Sequence, residues 1–367
     1  MNITVTKPFI PPYAEYQNYL IGIWEREWLT NDGPLVNELE LKLKNYLNLE
    51  HLLFLGNGTI ALQIAIHALK LQGEVITTPF SYVATTSSIV WEHCKPVMVD
   101  ICPQSLNIDS CKIEQAITEK TTAILATHVF GNPCDVEGIE TIAEKHNLRV
   151  IYDAAHAFGT LYKGQSLLTY GDIATCSFHA TKLFHTIEGG AVVCHDADIL
   201  KRMAMMRNFG HSSLTEFDGV GINGKNSEIH AAMGLCNLKY IQDILDVRAR
   251  ICERYRRNLV GHPVSFQKIT PGTQYNHAYF PVIFESETVL LKVLKKLNLN
   301  NIYPRRYFYP SLTELSYIQG QSAPIAEKIS RRILCLPLYH TLSYEDVNII
   351  CCFIKQVISS FNEILRV

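Results

Sequence analysis

Short apolar runs rich in β-branched residues recur along the first two thirds of the chain and predict buried β-strands. They lie at 75–78, 96–99, 123–128, 150–153, 173–178 and 191–194. Segments between them, such as 59–71, 82–93 and 136–146, carry apolar residues at three- and four-residue intervals, which predicts amphipathic helices. This alternation predicts an α/β fold with a mostly parallel central sheet and helices on both faces.

The pattern changes toward the C-terminus. A long helical pattern covers 226–257. Beyond Pro263 follow a strand-like segment at 279–284, a helical one at 289–297, a loop rich in Pro and Tyr at 303–310, and a final helix at 344–365. We therefore predict a large domain over 1–245 and a smaller C-terminal α+β domain over 246–367.

Composition and charge narrow the class of protein. The 367 residues are 47% hydrophobic and 19% charged with a formal net charge of −2, so no basic field favours nucleic acid or anionic lipid. We found no signal-peptide core and no membrane span of about 18 apolar residues. The eleven cysteines include no C-x-x-C pair and the fourteen histidines no H-x-x-x-H spacing. These counts favour reduced thiols in a cytoplasmic protein and no metal site.

A glycine-containing turn follows the apolar segment 52–55. It reads Gly56-Asn57-Gly58-Thr59 and precedes a helical pattern. Backbone amides, the Thr59 hydroxyl and a helix N-terminus together suit an anion such as phosphate. The alternative is a plain turn with Thr59 as the helix N-cap. The segment has neither G-x-G-x-x-G nor G-K-[ST], which argues against a dinucleotide or nucleoside-triphosphate site.

A carboxylate ends the predicted strand at 150–153. Burying Asp153 is costly unless a cation or hydrogen-bond donors meet it. A protonated heterocycle nitrogen would be such a partner. The alternative is that Asp153 caps a following helix and that His156 packs in the core.

A lysine follows the next predicted strand. The segment 177–182 reads S-F-H-A-T-K, and Phe178, Leu183 and Phe184 surround Lys182 in sequence. Desolvation by these side chains would lower the pKa of Lys182 and suit it to form a Schiff base. A lone lysine is ordinarily solvated surface.

The combination of these groups points to pyridoxal phosphate (PLP). Lys182 would hold the aldehyde and Asp153 the pyridinium nitrogen, while Gly58, Thr59 and Ser177 would hold the phosphate. In parallel sheets, ligands bind beyond the carboxyl ends of the strands, where all these residues are predicted to lie.

Two aromatic residues lie in the segment T-P-F-S-Y-V-A-T at 78–85. Tyr82 is placed to stack on a flat cofactor ring. We expect Phe80 to pack in the core instead.

These segments together resemble the DegT/DnrJ/StrS family of nucleotide-sugar aminotransferases. The resemblance rests on G-N-G-T at 56, T-P-F-S-Y-V-A-T at 78, D-A-A-H at 153, S-F-H-A-T-K at 177, E-G-G at 188 and N-G-K-N-S-E-I-H-A-A-M-G at 223. It implies a PLP-dependent fold of the aspartate-aminotransferase type (fold type I). It also implies a homodimer with active sites shared between subunits, and L-glutamate as the usual amino donor.

The resemblance also implies roles within the cofactor site. Lys182 matches the Schiff-base lysine, which also moves a proton, and Asp153 matches the pyridinium partner. The other matched positions contact the rest of the cofactor: His156 and Tyr82 flank the ring, Gly58, Thr59 and Ser177 bind the phosphate, and Asn223 reaches the phosphate from the other subunit. Asn57 departs from the Ser that most members have, which leaves its own contact open.

Further segments resemble the viosamine-forming subgroup of the family, namely T-K-P-F-I-P-P at 6, W-L-T-N-D-G-P at 28 and H-V-F-G-N-P-C-D at 128. The subgroup implies amination at C4 of dTDP-4-keto-6-deoxy-D-glucose, giving dTDP-4-amino-4,6-dideoxy-D-glucose for O-antigen or other surface polysaccharide. Amination at C3, an axial C4 amine or another dTDP-, UDP- or GDP-linked ketosugar stays open. A non-catalytic PLP-binding regulator also stays open.

The sequence disfavours two other classes of enzyme. A sugar dehydratase of this fold would carry His in place of Lys182, and a nicotinamide dehydrogenase needs the dinucleotide fingerprint that is missing.

The diphosphate of a sugar nucleotide needs cations. Lys225, Arg305 and Arg306 are the candidates, although exposed Lys and Arg are usually only solvated.

Overall fold

The computed structural model describes residues 2–364 and is built around a seven-stranded sheet. Neighbouring strands are parallel except at Gly190–Cys194, which runs antiparallel to both of its neighbours. The mostly parallel sheet predicted from the sequence is therefore confirmed. In order across the sheet, the strands are His51–Leu55, Gly190–Cys194, Ile173–Ser177, Arg149–Asp153, Thr121–Thr127, Glu74–Thr77 and Lys95–Met98.

Helices cover both faces of this sheet because successive side chains of a strand point to opposite sides. In the strand His51–Leu55, Leu52 and Phe54 join one apolar cluster, while Leu53 and Leu55 join the cluster on the other face. The α-helices of this part of the chain are Tyr13–Arg26, Pro34–Leu47, Gly58–Ala68, Val83–Trp91, Ser110–Ile113, Val136–His146, Ala197–Arg207 and Glu228–Leu238. Short 3₁₀ turns occupy Glu114–Ala116, Val129–Gly131 and Leu167–Thr169.

The single long helix predicted at 226–257 is wrong. The structure has two helices, Glu228–Leu238 and Ile241–Leu259. Between them, the backbone amides of Lys239 and Tyr240 bond to carbonyls three residues earlier, at 3.2 and 3.1 Å, which closes the first helix. The predicted domain limit after residue 245 falls inside the second helix and stays a prediction.

The C-terminal part has its own apolar core and a three-stranded antiparallel sheet. Its strands are Val264–Phe266, Phe280–Phe284 and Ile333–Leu336, and its helices are Glu287–Asn298, Pro324–Ser330 and Tyr344–Ile364, with a 3₁₀ turn at Leu312–Glu314. Residue 365, predicted to end the last helix, lies outside the described residues. Smaller pairings join Ile3–Thr4 to Ile302–Tyr303. In a further small sheet, Leu161–Tyr162 pairs with Thr273–Gln274 on one side and with Gln165–Ser166 on the other.

Two features are absent from residues 2–364. No helix in this range is long and apolar enough to cross a membrane. The same range contains no group of three or more His, Cys, Asp or Glu side chains that could hold a metal ion.

Candidate active site

The register of the central sheet brings distant strand ends to one edge. Asp153 lies opposite Thr127 of the neighbouring strand. Gly190 lies opposite Ser177 on one side and Leu55 on the other, so the turn after Leu55 begins at the same edge. Residues far apart in sequence therefore converge where parallel strands end.

A cavity of ≈ 640 Å³ opens at this edge, within the range of small-molecule sites. Most of the predicted site residues line it, namely Gly58, Thr59, Tyr82, Asp153, His156, Ser177, Lys182 and Arg305. Asn223, Lys225 and Arg306 are not among its lining residues.

Lys182 is partly buried and lines the cavity. Its backbone amide donates to the His179 carbonyl at 2.8 Å, which fixes the turn that carries it. Burial lowers the pKa of Lys182 to about 8, against opposing contributions from Asp153 and Tyr82. A substantial fraction of neutral amine is therefore present near neutral pH, as a nucleophile or base requires.

Asp153 is a buried carboxylate with one protein donor on each oxygen. Thr85 Oγ1 donates to Oδ2 at 2.7 Å, and the Ala155 amide donates to Oδ1 at 3.1 Å. Burial raises the pKa of Asp153, while these hydrogen bonds and Lys182 lower it. Turns rather than a helix follow Asp153, so the alternative that it caps a helix is wrong. The carboxylate is suited to a cationic nitrogen in the cavity.

His156 packs among aromatic rings and also lines the cavity. Its ring stacks on Phe308 at 5.7 Å and 2°, and on Phe130 at 6.1 Å and 7°. The Phe130 amide donates to His156 Nδ1 at 3.2 Å, so the proton of the neutral ring is on Nε2. Burial lowers the pKa of His156 well below its usual range, which keeps the ring neutral. Tyr82 is 52% exposed at the same cavity.

The turn before the helix Gly58–Ala68 differs from the alternative with Thr59 as the cap. Asn57 is the N-cap, and its Oδ1 accepts from the Ile60 amide at 2.9 Å. Thr59 is instead exposed in the first turn and lines the cavity. A Cβ on Gly58 would lie 3.0 Å from Ser177 Cβ, so any larger residue would push the turn and the strand end slightly apart. The helix N-terminus therefore faces the cavity beside Ser177, an arrangement that fits a phosphate.

Several cavity residues received no role from the sequence. His179 Nε2 lies 3.5 Å from Glu188 Oε1, and both residues line the cavity. They belong to the segments S-F-H and E-G-G. Tyr307 and Phe308 come from the C-terminal part, inside the loop predicted at 303–310. Its concentration of aromatic residues was the one signal in the sequence, because a loop contact across such a distance has no local pattern.

Of the predicted cations, Arg305 alone lines this cavity, and its guanidinium lies 4.6 Å from the Tyr307 ring centroid. The adjacent Arg306 donates to Glu287 Oε1 at 2.6 Å and to the Arg331 carbonyl at 3.1 Å. It is therefore engaged within the C-terminal part.

Asn223 and Lys225 are tied to each other on the neighbouring segment. Lys225 Nζ donates to Asn223 Oδ1 at 3.1 Å and to Asn208 Oδ1 at 2.7 Å. Asn223 is exposed. Neither side chain reaches the cavity of its own chain.

The fold and the site define a PLP-dependent aminotransferase, in which a buried carboxylate, a lysine of lowered pKa and an anion-binding helix N-terminus meet at one sheet edge. A model of the DegT/DnrJ/EryC1/StrS aminotransferase family matches residues 13–355, and the chain belongs to that family. The family resemblance and the cofactor predicted from the sequence are thereby confirmed.

Individual relatives cover nearly the whole chain. The dTDP-4-amino-4,6-dideoxy-D-glucose transaminase of Shigella dysenteriae is 42% identical, over 97% of this chain and 99% of that protein. The GDP-perosamine synthase of Vibrio cholerae is 30% identical, over 93% and 95%. The crystal structure of DesI with its TDP-sugar product superposes with a TM-score of 0.94 at 31% identity, covering 100% of this chain and 95% of DesI.

Proposed function

We propose that this aminotransferase moves the amino group of L-glutamate to C4 of dTDP-4-keto-6-deoxy-D-glucose. The products are dTDP-4-amino-4,6-dideoxy-D-glucose and 2-oxoglutarate, and the aminosugar serves O-antigen or other surface polysaccharide. The observation that carries the proposal is the 42% identity to the Shigella dysenteriae transaminase over 97% of this chain.

Asp153, Ser177 and Lys182, which we call the cavity floor, supply the groups that amino transfer needs. PLP, when bound, supplies an electron sink for the carbon that loses or gains a proton. Lys182 would anchor the cofactor, and its free amine would accept and return that proton. The lowered pKa of Lys182, about 8, supports this role because the amine must be neutral to accept a proton. Asp153 would hold the cationic ring nitrogen, and Tyr82 and His156 would flank the ring.

The phosphate of the cofactor binds at the start of the helix Gly58–Ala68. Gly58 and Thr59 contribute backbone amides that have no partner within the helix. The Ser177 hydroxyl and the Thr59 hydroxyl add donors. Asn223 of a second copy completes this part of the site.

The sugar nucleotide binds at the cavity mouth, where polar and cationic side chains collect. His179 and Glu188 supply donors and acceptors suited to sugar hydroxyls. Arg305 is the cation best placed for the diphosphate. Lys225 would act only in the cavity of a second copy, and the ion pair of Arg306 with Glu287 argues against a direct contact.

The working form is a cytoplasmic homodimer with shared sites. Asn223 and Lys225 lie outside the cavity of their own chain, which supports a role in another. The N-terminal segment exposes Trp24 at 65%, Trp28 at 47% and Leu29 at 52%, and apolar groups exposed together are typical of interfaces. All eleven cysteines are free thiols, as expected in a reducing compartment.

The test is to incubate the protein with PLP, L-glutamate and dTDP-4-keto-6-deoxy-D-glucose and to locate the new amine by NMR. We expect an equatorial amine at C4. An axial C4 amine or a C3 amine would overturn the proposed product. A preference for a GDP-linked ketosugar assayed in parallel would overturn the proposed substrate.

A second measurement separates enzyme from regulator. Formation of 2-oxoglutarate from L-glutamate reports the first half-reaction without any sugar. A protein that binds PLP but releases no 2-oxoglutarate would favour the non-catalytic regulator.

A further inference from the structure

Three buried hydroxyl groups form a chain that ends on Asp153. Thr85 Oγ1 lies 2.7 Å from Asp153 Oδ2, and Ser81 Oγ lies 2.7 Å from Thr85 Oγ1. Thr127 Oγ1 lies 2.9 Å from Ser81 Oγ. Ser81 is 1% exposed, Thr85 0% and Thr127 3%. We call Thr127, Ser81 and Thr85 the hydroxyl chain.

Three different elements deliver these groups to one place. Thr127 ends the strand beside that of Asp153 and lies opposite Asp153 in register. Thr85 lies in the first turn of the helix Val83–Trp91. Ser81 lies in the turn before that helix, next to Phe80, which is fully buried. A contact built from separate elements depends on the fold and not on local sequence.

The carboxylate determines the direction of every hydrogen bond in the hydroxyl chain. An ionised carboxylate only accepts, so the single proton of Thr85 goes to Asp153. Ser81 must then donate to Thr85, and Thr127 must donate to Ser81. All three hydroxyl protons are used when Asp153 is ionised.

Protonation of Asp153 at Oδ2 reverses this order. Thr85 would then donate to Ser81, and Ser81 to Thr127. The proton of Thr127 would be left without a protein acceptor, because Ser81 is its one side-chain partner in the described part of the chain. Ser81 and Thr127 line the cavity, so this proton could turn only toward the cavity, and Thr127 would no longer donate to Ser81. Losing a hydrogen bond from a nearly buried donor is unfavourable. The number of protons in the hydroxyl chain therefore matches the ionised carboxylate.

We propose that Thr85, supported by Ser81 and Thr127, is a positioning residue that keeps Asp153 ionised and fixes Oδ2, leaving the outer lone pairs for the ring nitrogen of the cofactor. Thr85 does not line the cavity and acts only through Asp153. The inference rests on the proposed role of Asp153. It does not depend on which sugar is aminated.

The test measures the dissociation constant of pyridoxamine phosphate for the full-length protein. This form of the cofactor has no aldehyde, so it binds without a covalent bond to Lys182. We expect Thr85→Val to weaken binding by about tenfold to a hundredfold, the fold-change that corresponds to one hydrogen bond to a charged group. Thr85→Ser, which keeps the hydroxyl, restores most of the affinity.

The neighbouring Thr86 offers a matched control. It is 0% exposed on the same helix, and its hydroxyl has no partner among the described residues. Thr86→Val therefore removes the same atoms from the same surroundings without touching Asp153, and affinity stays at the wild-type value. Equal losses in Thr85→Val and Thr86→Val would overturn the proposal.

The pH dependence gives a signature that general destabilisation would not. Binding is lost in acid when Asp153 takes up a proton. We call the fall in affinity on acidification the acid limb. Removing the Thr85 hydrogen bond raises the pKa of Asp153, so the acid limb moves to higher pH in Thr85→Val. Ser81→Ala, which interrupts the hydroxyl chain one step away, shifts the limb in the same direction by less. If Thr85→Val fails to fold, Ser81→Ala carries the test, and an unshifted limb would overturn the proposal.

Asp153→Asn distinguishes this inference from the function on which it rests. If Asp153→Asn leaves the affinity for pyridoxamine phosphate unchanged, the role of Asp153 and the hydroxyl chain both fail. If Asp153→Asn weakens binding while Thr85→Val does not, the hydroxyl chain alone fails.

Discussion

The cavity floor and the segment 223–226 lie at the same sheet edge but are built differently. The floor holds Asp153, which is buried, and Lys182, which is partly buried, and both line the cavity of their own chain. The segment is fastened to the same edge, since the Gly56 amide donates to the Gly224 carbonyl at 2.9 Å and Asn226 Nδ2 donates to the Leu55 carbonyl at 3.2 Å. Its side chains Asn223 and Lys225 nevertheless lie outside that cavity.

This difference separates chemistry contained in one chain from chemistry shared between two copies. A floor residue should act within its own subunit, whereas Asn223 should act in its partner's. Substitutions in each region therefore test whether its residues act in their own subunit or in the partner subunit.

The largest effect is expected at Lys182. Lys182→Ala should lower turnover by at least about a thousandfold, because no other amine replaces the group that moves the proton. Both half-reactions should be lost, as measured by 2-oxoglutarate release and by aminosugar formation. Binding of pyridoxamine phosphate should persist and serves as the control for folding. A variant that still turned over would show that the floor does not hold the catalytic amine.

Asp153→Asn comes next. The amide keeps the shape of the carboxylate but cannot hold a cationic nitrogen, so turnover should fall by about a hundredfold or more. The comparison of kcat for the glutamate half-reaction in variant and wild type measures it. Near-normal turnover would remove the ring-nitrogen role from Asp153.

A mixing experiment tests the shared site directly. Lys182→Ala and Asn223→Ala should each be impaired alone. In a mixed dimer, one site receives both substitutions and the other receives neither. Random assortment should therefore restore about a quarter of the wild-type activity, since one intact site forms in each mixed dimer.

Co-expression of the two variants with different tags produces the mixed dimer without subunit exchange. The purified mixed dimer should have about half of the wild-type activity, because one of its two sites is intact. An inactive mixed dimer would mean that Asn223 acts within its own chain. An Asn223→Ala homodimer of wild-type activity would mean that Asn223 does not act at all. The contrast between the two regions would then fail.

A smaller effect concerns pH. The rate at which the cofactor-free protein takes up PLP should rise with pH about a midpoint near 8, because Lys182 reacts as its neutral amine and burial lowers its pKa to about 8. Asp153 raises the pKa of Lys182, so Asp153→Asn should move the midpoint to lower pH. Stopped-flow absorbance across a pH series measures both, and a midpoint near 10 would contradict the burial of the amine.

The sequence predicts the floor well because topology alone places its residues. Asp153 and Ser177 end strands of a parallel sheet, and Lys182 follows one, so their convergence needs no side-chain detail. The sequence did not determine which residue caps the helix Gly58–Ala68. Asn57 and Thr59 are both favourable N-caps, and only the backbone decides between them.

Features set by distant contacts were not predictable from the sequence. Arg305 and Arg306 are adjacent and chemically alike, yet their side chains lie in different surroundings. The backbone of Arg305 pairs with Cys335, and its side chain lines the cavity. The side chain of Arg306 contacts Glu287 instead. The break at Lys239 and Tyr240 was hidden because apolar spacing continues across it. The roles assigned to the cavity residues remain proposals that the experiments above test.

The smallest effect is expected at Asn57, in the turn where the two regions meet through Gly56 and Gly224. Asn57→Ala removes the cap of the helix Gly58–Ala68, which costs about 1 kcal/mol and should lower the thermal midpoint of the cofactor-free protein by about 1 to 2 °C. Asn57→Ser keeps a capping oxygen and should stay near wild type. Calorimetry of the three proteins decides it. If Asn57→Ser lowered the thermal midpoint as much as Asn57→Ala, the Asn57 side chain would do more than cap the helix. It would then also help to join the floor to the segment 223–226.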